Sequence, residues 1–334
     1  MNNNARHDVA DSAPRTIMDF LLRWETILIG LLAIVIVGNT IISPYFLDIY
    51  NLSDATFNFS EKAIIALGMT LLILVRDIDL SIAAIIALSS LAMGLAADAG
   101  ATTSTLILIG VTVGAICGSF NGFLVARVGL PSIVVTIGTM SLFRGLAQVI
   151  LGDQAITKYP LPFQSLGRGY LIKWPPIPYS FALFLILAVV FAAVLHRTAF
   201  GRKIYAMGNN PIAAQFSGVP VNKIRFWLFV LTGVLSGVAA VFLTARIGST
   251  RPNIALGWEL EVITAVILGG VSIAGGAGTI PGVVIAVFIL GLTTFGLSLV
   301  NVPGIVISVL LGFLLIFSIA MPIVVRRLMK KRVT

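Results

Sequence analysis

His196-Arg-Thr-Ala-Phe-Gly-Arg-Lys-Ile-Tyr-Ala-Met-Gly-Asn-Asn-Pro-Ile-Ala-Ala-Gln-Phe-Ser-Gly218, continued to Lys223 and Arg225, is the longest basic connection in a chain otherwise built from apolar runs. Arg197, Arg202, Lys203, Lys223 and Arg225 have no Asp or Glu among them. That bias marks a loop on the cytoplasmic side, between two membrane spans. Within it Asn210 suits an N-cap, Pro211 a first helical position, and Gly218 the left-handed residue that ends a helix. The pattern predicts a two-turn helix about 10 Å long. Ile212, Ala213, Ala214 and Phe216 give it small or apolar side chains, an odd surface for a free loop unless a partner covers it. The competing reading lays the same helix flat among lipid headgroups.

Working outward, composition supports the membrane reading. Of 334 residues, 58% are hydrophobic and 10% charged, with mean hydropathy +1.06. Soluble domains carry about a quarter charged residues, which excludes that class. The net charge of +9 lies in loops and tails beside apolar runs, so topology explains it better than nucleic acid does. The single cysteine, Cys117, excludes an internal disulfide and reads as packed or lipid-facing. Residues 1–17 are polar, with no short apolar core and cleavage site, so the first span is expected to remain uncleaved.

Apolar runs place ten spans at 24–42, 61–75, 80–97, 104–126, 132–151, 180–195, 226–245, 260–269, 279–300 and 305–325. Ten put Arg6, Arg15, Arg23, Arg127, the basic loop (196–225) and Arg326, Arg327, Lys330, Lys331 and Arg332 on one side, and Trp24 and Trp227 at that interface. Tyr45, Tyr50, Trp174 and Trp258 then fall at the other, although Lys158, Arg168 and Lys173 depart from the charge rule. The expected organisation is a cytoplasmic tail at 1–22, one transmembrane domain at 23–325 and a basic cytoplasmic tail at 326–334. Spans two and eight are short enough to be broken or shielded from lipid. Leu72-Ile-Leu-Val-Arg-Asp-Ile-Asp-Leu-Ser81 is echoed by Val266-Ile-Leu-Gly-Gly-Val-Ser-Ile-Ala274, and repeated broken helices often bracket a transport site.

Few residues offer chemistry. Arg76, Asp77 and Asp79 interrupt an apolar run, where ionisable groups face a protein interior or a water-filled cavity. The plainer reading is a hairpin turn with Asp79 or Ser81 capping the next helix. Asn121, Thr136, Thr139 and Phe143 supply neutral hydrogen-bonding groups and a ring that could line a path for a neutral polyol, or simply join helices. Arg144 lies within span five, and Glu259 and Glu261 open span eight, where they meet a docking partner or one another. Gly269, Gly270, Gly275, Gly276, Gly278 and Gly282 permit tight turns and close helix approach. The chain has no Gly-x-x-x-x-Gly-Lys-Ser/Thr motif, and His7 and His196 are its only histidines, so any ATP is expected to be hydrolysed by another chain.

Four stretches together carry a resemblance: Ile78-Asp-Leu-Ser81; Asn121-Gly122, Pro131-Ser132, Thr136-Ile-Gly-Thr-Met140 and Arg144-Gly145; Thr198 to Asn209 with Ala213, Ala214 and Gly218; and Leu268-Gly-Gly with Gly275 to Gly282. From about residue 42 to residue 312 the chain resembles the membrane permeases of bacterial ABC sugar importers of the ribose, xylose, galactose, rhamnose and autoinducer-2 group. That resemblance implies an all-α, type II importer fold in the inner membrane with both termini cytoplasmic. It implies a second permease subunit, two cytosolic ATPases holding ATP and Mg, and a periplasmic sugar-binding protein docking near Arg251 and Glu259. It makes Gly208, Asn209, Asn210, Pro211, Ala213, Ala214, Phe216, Ser217 and Gly218 the helix seated in the ATPase, while Asp77, Asp79, Asn121, Thr136, Thr139 and Phe143 stay the candidate substrate path on their own chemistry. One departure stands out: Arg76-Asp77 occupies the place where the family usually has Gly-Gly. On that departure the expected cargo, a neutral monosaccharide, leans toward rhamnose.

Overall fold

The computed structural model describes residues 23–330; the tail expected at 1–22 lies outside them, as do residues 331–334 of the tail expected at 326–334, whose first five residues continue the last helix. Thirteen helices and one small hairpin follow in order: α1 (Trp24–Ile42), α2 (Ile49–Leu74), α3 (Ile82–Asp98), α4 (Thr103–Phe123), α5 (Ser132–Leu151), α6 (Leu161–Arg168), β1 (Tyr170–Lys173), β2 (Pro176–Pro178), α7 (Tyr179–Arg197), α8 (Ala199–Asn209), α9 (Pro211–Phe216), α10 (Val221–Ile247), α11 (Trp258–Leu268), α12 (Ile280–Leu299) and α13 (Gly304–Lys330). α4 continues as one π turn, Leu124–Val128, closed by Gly129.

Seven of these, α1, α2, α4 with its π turn, α5, α7, α10 and α12, are long and apolar enough to cross a membrane. The expected ten exceeds what length alone supports. α3 has 17 residues and α11 only 11, about 16 Å of helix. α11 is therefore a half-length helix. A segment so short persists in an apolar bundle because neighbouring helices, rather than lipid, surround its ends.

α2 is the hub. Of its most apolar window 89% is buried, against 11% for α1, and α7, α10, α11 and α12 pack around it. This explains the largest boundary error. The sequence reading begins the span at about Glu61, whereas the helix starts at Ile49, and in its first turns Ser53, Ala55, Phe57, Phe59 and Ser60 are buried while Asp54 and Asn58 are exposed. Glu61 lies fully buried against Arg246 at 2.9 Å.

The most extensive helix pair is α4 with α10. Gly110, Gly114, Gly118 and Gly122 recur every fourth residue on α4 and meet Gly233 and Gly237 on α10. A Cβ on Gly114 would lie 2.9 Å from Gly237 Cα. Backbone contact of this kind is how helices associate where no water is expelled. Cys117, between two of these glycines, is buried against Ala84, Ile85 and Phe143.

The bundle has two distinguishable ends. At the far end, the connection read as a long loop at 152–179 folds into α6 and the β1–β2 hairpin, since Phe163 buries fully and Arg168 donates to the carbonyl of Arg246 at 2.8 Å. Ile156 bridges to Thr250, and a hydroxyl chain runs from Tyr159 to Thr250 (2.6 Å), Ser90 (2.6 Å) and Thr244 (2.8 Å). Burial pushes the Tyr159 phenol up to about 12, the Thr250 hydrogen bond opposing. At the basic end lie the α2–α3 break, the α7–α10 loop and the glycine-rich connection 269–279.

Candidate functional site

The basic loop folds as its residues dictate. Thr198 caps α8 by accepting from Gly201 N, and α8 ends at Asn209. Asn210, extended at φ −153° and ψ 101°, starts α9, its side chain accepting from Ile212 N at 3.1 Å and Ala213 N at 3.0 Å, with Pro211 in the first position. Gly218, at φ +82°, closes it: Val219 N bonds Ala214 O, and Gly218 N bonds Gln215 O, the paired bonds of a Schellman end. Ser217 Oγ adds a bond to Ala213 O at 2.9 Å. Cap, proline and terminal glycine thus stand where the sequence placed them.

One expectation about this helix is corrected. Ala214 is buried at 5% exposure, joining the core with Val221 and Ile224, because α9 turns that side toward α10. Ile212, Ala213 and Phe216 face outward, Phe216 at 89% exposure.

α8 carries α9 against the break in the main bundle. Gly208 is buried where a Cβ would collide with the Leu74 carbonyl and Gly276. Arg76 donates from Nε to Gly208 O and from Nη2 to Asn209 O, both at 2.7 Å, satisfying carbonyls at the end of α8. Asn209 Nδ2 donates to Tyr205 O, and Tyr205 Oη to Gly278 O at 2.7 Å. Burial pushes the Tyr205 phenol above its ordinary value, so it remains a donor at neutral pH. Gly276 N donates to Leu74 O at 2.9 Å, locking the glycine-rich connection onto the end of α2.

Asp77 and Asp79 behave differently. Asp77, with its side chain 2% exposed, takes a bidentate pair from Arg225, Nε to Oδ2 and Nη2 to Oδ1, each 2.6 Å. Neither Asp79 nor Ser81 caps α3 through its side chain as expected, Ser81 being its N-cap residue; instead Asp79 Oδ1 accepts from Ser81 N at 2.9 Å and Ser81 Oγ at 2.6 Å, and Asn121 Nδ2 donates to Ser81 Oγ at 2.8 Å. Asp79 Oδ2 and Asn121 Oδ1 are buried and make no hydrogen bond among the described residues. Thr136, Thr139 and Phe143 are buried on the face of α5 toward α3 and α4. Thr136 Oγ1 bonds Ser132 O at 2.9 Å and Ile78 O at 3.3 Å, and Thr139 bonds Thr136 O. In this conformation Asn121 and Thr136 tie α4 and α5 to the α2–α3 connection, Thr139 bonds within α5, and Phe143 packs against Ala84, Ile85 and Cys117.

The far-end candidates separate. Arg251 is exposed, on the wall of a cavity of about 530 Å3 with Asp153 and Asn253. Glu259 is half-buried, its Oε2 without a hydrogen bond among the described residues. Arg144 donates to Pro252 O and Ile254 O at 2.8 and 2.9 Å, fixing the turns before α11, and Glu261 pairs with Lys62.

Sequence reading missed two features. Arg225 counted there only as loop charge, and its pairing with Asp77, 148 residues away, left no local signal. A cavity of about 340 Å3 also opens among α2, α10, α11 and α12, walled by Asn58, Lys62, Arg246, Trp258 and Glu261, with Lys62 4.9 Å above the Trp258 ring. It falls in the roughly 300–1,000 Å3 range of small-molecule sites. From sequence, Trp258 reads only as a membrane-interface ring.

A family model described as the permease component of the branched-chain amino acid transport system matches residues 51–319. The ribose import permease protein RbsC of Bacillus subtilis (strain 168) is 36% identical over 296 residues, 88% of this chain and 90% of the relative. The autoinducer 2 import system permease proteins LsrD of Escherichia coli (strain K12) and Shigella flexneri are 36% identical over 299 residues, with the same coverage. No solved structure matches. With the helical bundle, its broken helices and this coverage in hand, the chain belongs to the permease family of the ABC importers.

Proposed function

We propose that this chain is the translocation subunit of an ATP-driven importer for a neutral monosaccharide or a similarly small polyhydroxylated solute. It pairs with a second permease, takes its cargo from a periplasmic binding protein, and is driven by cytosolic ATPases that hold ATP and Mg. One observation carries the reading: α9 is capped at both ends, lies in a loop rich in Arg and Lys, and presents Ile212 and Phe216 to solvent with none of the described residues covering them. A rigid apolar stub of this kind serves as a handle for a partner. The reading places the basic end in the cytosol, with both termini, and the far end with Arg251 and Glu259 toward the binding protein. The path passes Asp79, Asn121, Thr136, Thr139 and Phe143, and the Trp258 cavity is the place for a sugar to pause, an aromatic face beside hydrogen-bonding groups.

The lean to rhamnose finds no support, since it rested on Arg76-Asp77, and those side chains bind α8 and α10 rather than open space. The similar permeases handle ribose and autoinducer 2. A proton- or sodium-coupled carrier is disfavoured because Asp77, one of its two coupling candidates, is occupied by Arg225. Co-purification and uptake test the handle: Phe216→Asp is expected to release the ATPase and cut import more than tenfold, whereas unchanged ATPase retention and import would remove the basis of the proposal.

A further inference from the structure

We propose that Arg76 and Asp77 form a two-point clamp that transmits movement of α9 to the broken α2–α3 segment, making both of them positioning residues for transport. The inference rests on the coupling reading of α9 but goes beyond it. Two adjacent side chains diverge to grip the two flanks of one short helix. Arg76 holds the carbonyls of Gly208 and Asn209, immediately before α9, with two 2.7 Å bonds. Asp77 holds Arg225, in the second turn of α10 just beyond α9, with two 2.6 Å bonds. The intervening segment therefore leaves and returns to a single dipeptide.

That dipeptide is continuous with the path. Ile78 N faces Ser132 Oγ at 3.4 Å, and Ile78 O faces Thr136 Oγ1 at 3.3 Å, both on α5. Further on, Ser81 donates to Asp79 and its hydroxyl oxygen accepts from Asn121 Nδ2 on α4. A displacement of α9 thus passes through Arg76 and Asp77 into the four residues 78–81, which touch α4 and α5. Arg76 bears the mark of a residue kept for its side chain: its φ is +71°, a conformation that glycine adopts freely and arginine does not.

The test uses the assembled importer, with its ATPase and binding protein, in proteoliposomes, and reads solute imported per ATP hydrolysed. Arg76→Gly keeps a residue suited to the turn while removing both bonds to α8, and Asp77→Arg with Arg225→Asp reverses the second pair. We expect Arg76→Gly to assemble with the ATPase yet import at least fivefold less per ATP. Asp77→Asn should do the same, and the reversed pair should recover more than half of the ratio lost in Asp77→Asn. An unchanged ratio in Arg76→Gly overturns the clamp, as does failure of all these variants to assemble, which would make the contacts purely structural. Failure of the coupling reading itself shows separately, as a Phe216→Asp importer that still binds its ATPase and transports.

Discussion

The α2–α3 break and the α11–α12 break are built alike and used differently. In the first, Arg76 N bonds Ile73 O and Asp77 N bonds Leu72 O; in the second, Gly270 N bonds Ile267 O and Val271 N bonds Val266 O. Position for position these are the same Schellman end, with a left-handed residue at φ +71° (Arg76) or +87° (Gly270). The sequence echo from 72 and from 266 is therefore a structural repeat, and the two ends touch through Gly276 N and Leu74 O. The glycine break does only what a break requires, and its next turns, at Gly275, Gly276 and Gly278, fit against α8 and Tyr205. The arginine break accepts a left-handed non-glycine residue, at a cost of about 1–2 kcal/mol, and places two charged side chains where the other has Gly270 and Val271.

If the charged break carries more than shape, breaking its buried Asp77–Arg225 pair should cost the most stability. Arg225→Ala leaves the Asp77 carboxylate, 2% exposed, without its bidentate partner, and a broken buried pair costs about 3–5 kcal/mol. Thermal unfolding in detergent should place this variant lowest. Asp77→Ala should cost less, because the Arg225 side chain it leaves unpaired is 26% exposed and can reach water. If the two variants unfold together, burial does not set the asymmetry.

The glycine break is tested next. Gly276 sits at φ +74°, with an added Cβ 2.9 Å from Asn209 N, so Gly276→Ala adds backbone contact to the roughly 1–2 kcal/mol of a left-handed alanine. We expect a loss of at least that size, together with weaker protection of the Gly276 amide from hydrogen exchange. A neutral result would mean that α8 does not bear on this turn.

How much of this was legible depends on how local each interaction is. The α9 cap, proline and terminal glycine lie within nine residues, so side-chain chemistry alone places them. The start of α5 at Ser132 follows equally from Pro131. α2 was shortened by twelve residues because an isolated window cannot show that Asn58 and Glu61 face Arg246 rather than lipid. The α4–α10 contact was legible in principle, as glycines at 110, 114, 118 and 122, but that stripe went unread in favour of the glycines after 269. Asp77 with Arg225 was not legible at all. Each charge has an adequate local explanation, one as a turn residue and the other as loop topology, and only the fold brings them together.

Tyr205→Phe removes the single hydrogen bond from α8 to Gly278 O and should cost about 0.5–1.5 kcal/mol. Burial raises the Tyr205 phenol in the folded chain, so its contribution is complete below the ordinary value near 10 and is lost only as pH rises beyond it. The difference in unfolding temperature between wild type and Tyr205→Phe should accordingly stay constant from pH 6 to about pH 9. A difference that shrinks within that window would show that some other group governs the contact.

Arg76→Gly should have the smallest effect on stability and is the most informative. Two hydrogen bonds from a charged donor are lost, nominally about 1.5–3 kcal/mol each, but the Arg76 side chain is exposed and the bond to Asn209 lies at the surface. Against that loss, glycine recovers the roughly 1–2 kcal/mol of left-handed strain and gives back about 0.5–1 kcal/mol through its freer unfolded chain. The net change should fall within about 1 kcal/mol, turning the first break into a copy of the second. If import per ATP nevertheless collapses, what separates the two breaks is mechanical. If Arg76→Gly instead lowers the unfolding temperature as far as Arg225→Ala does, the arginine is there to hold the fold, and the two breaks differ in stability alone.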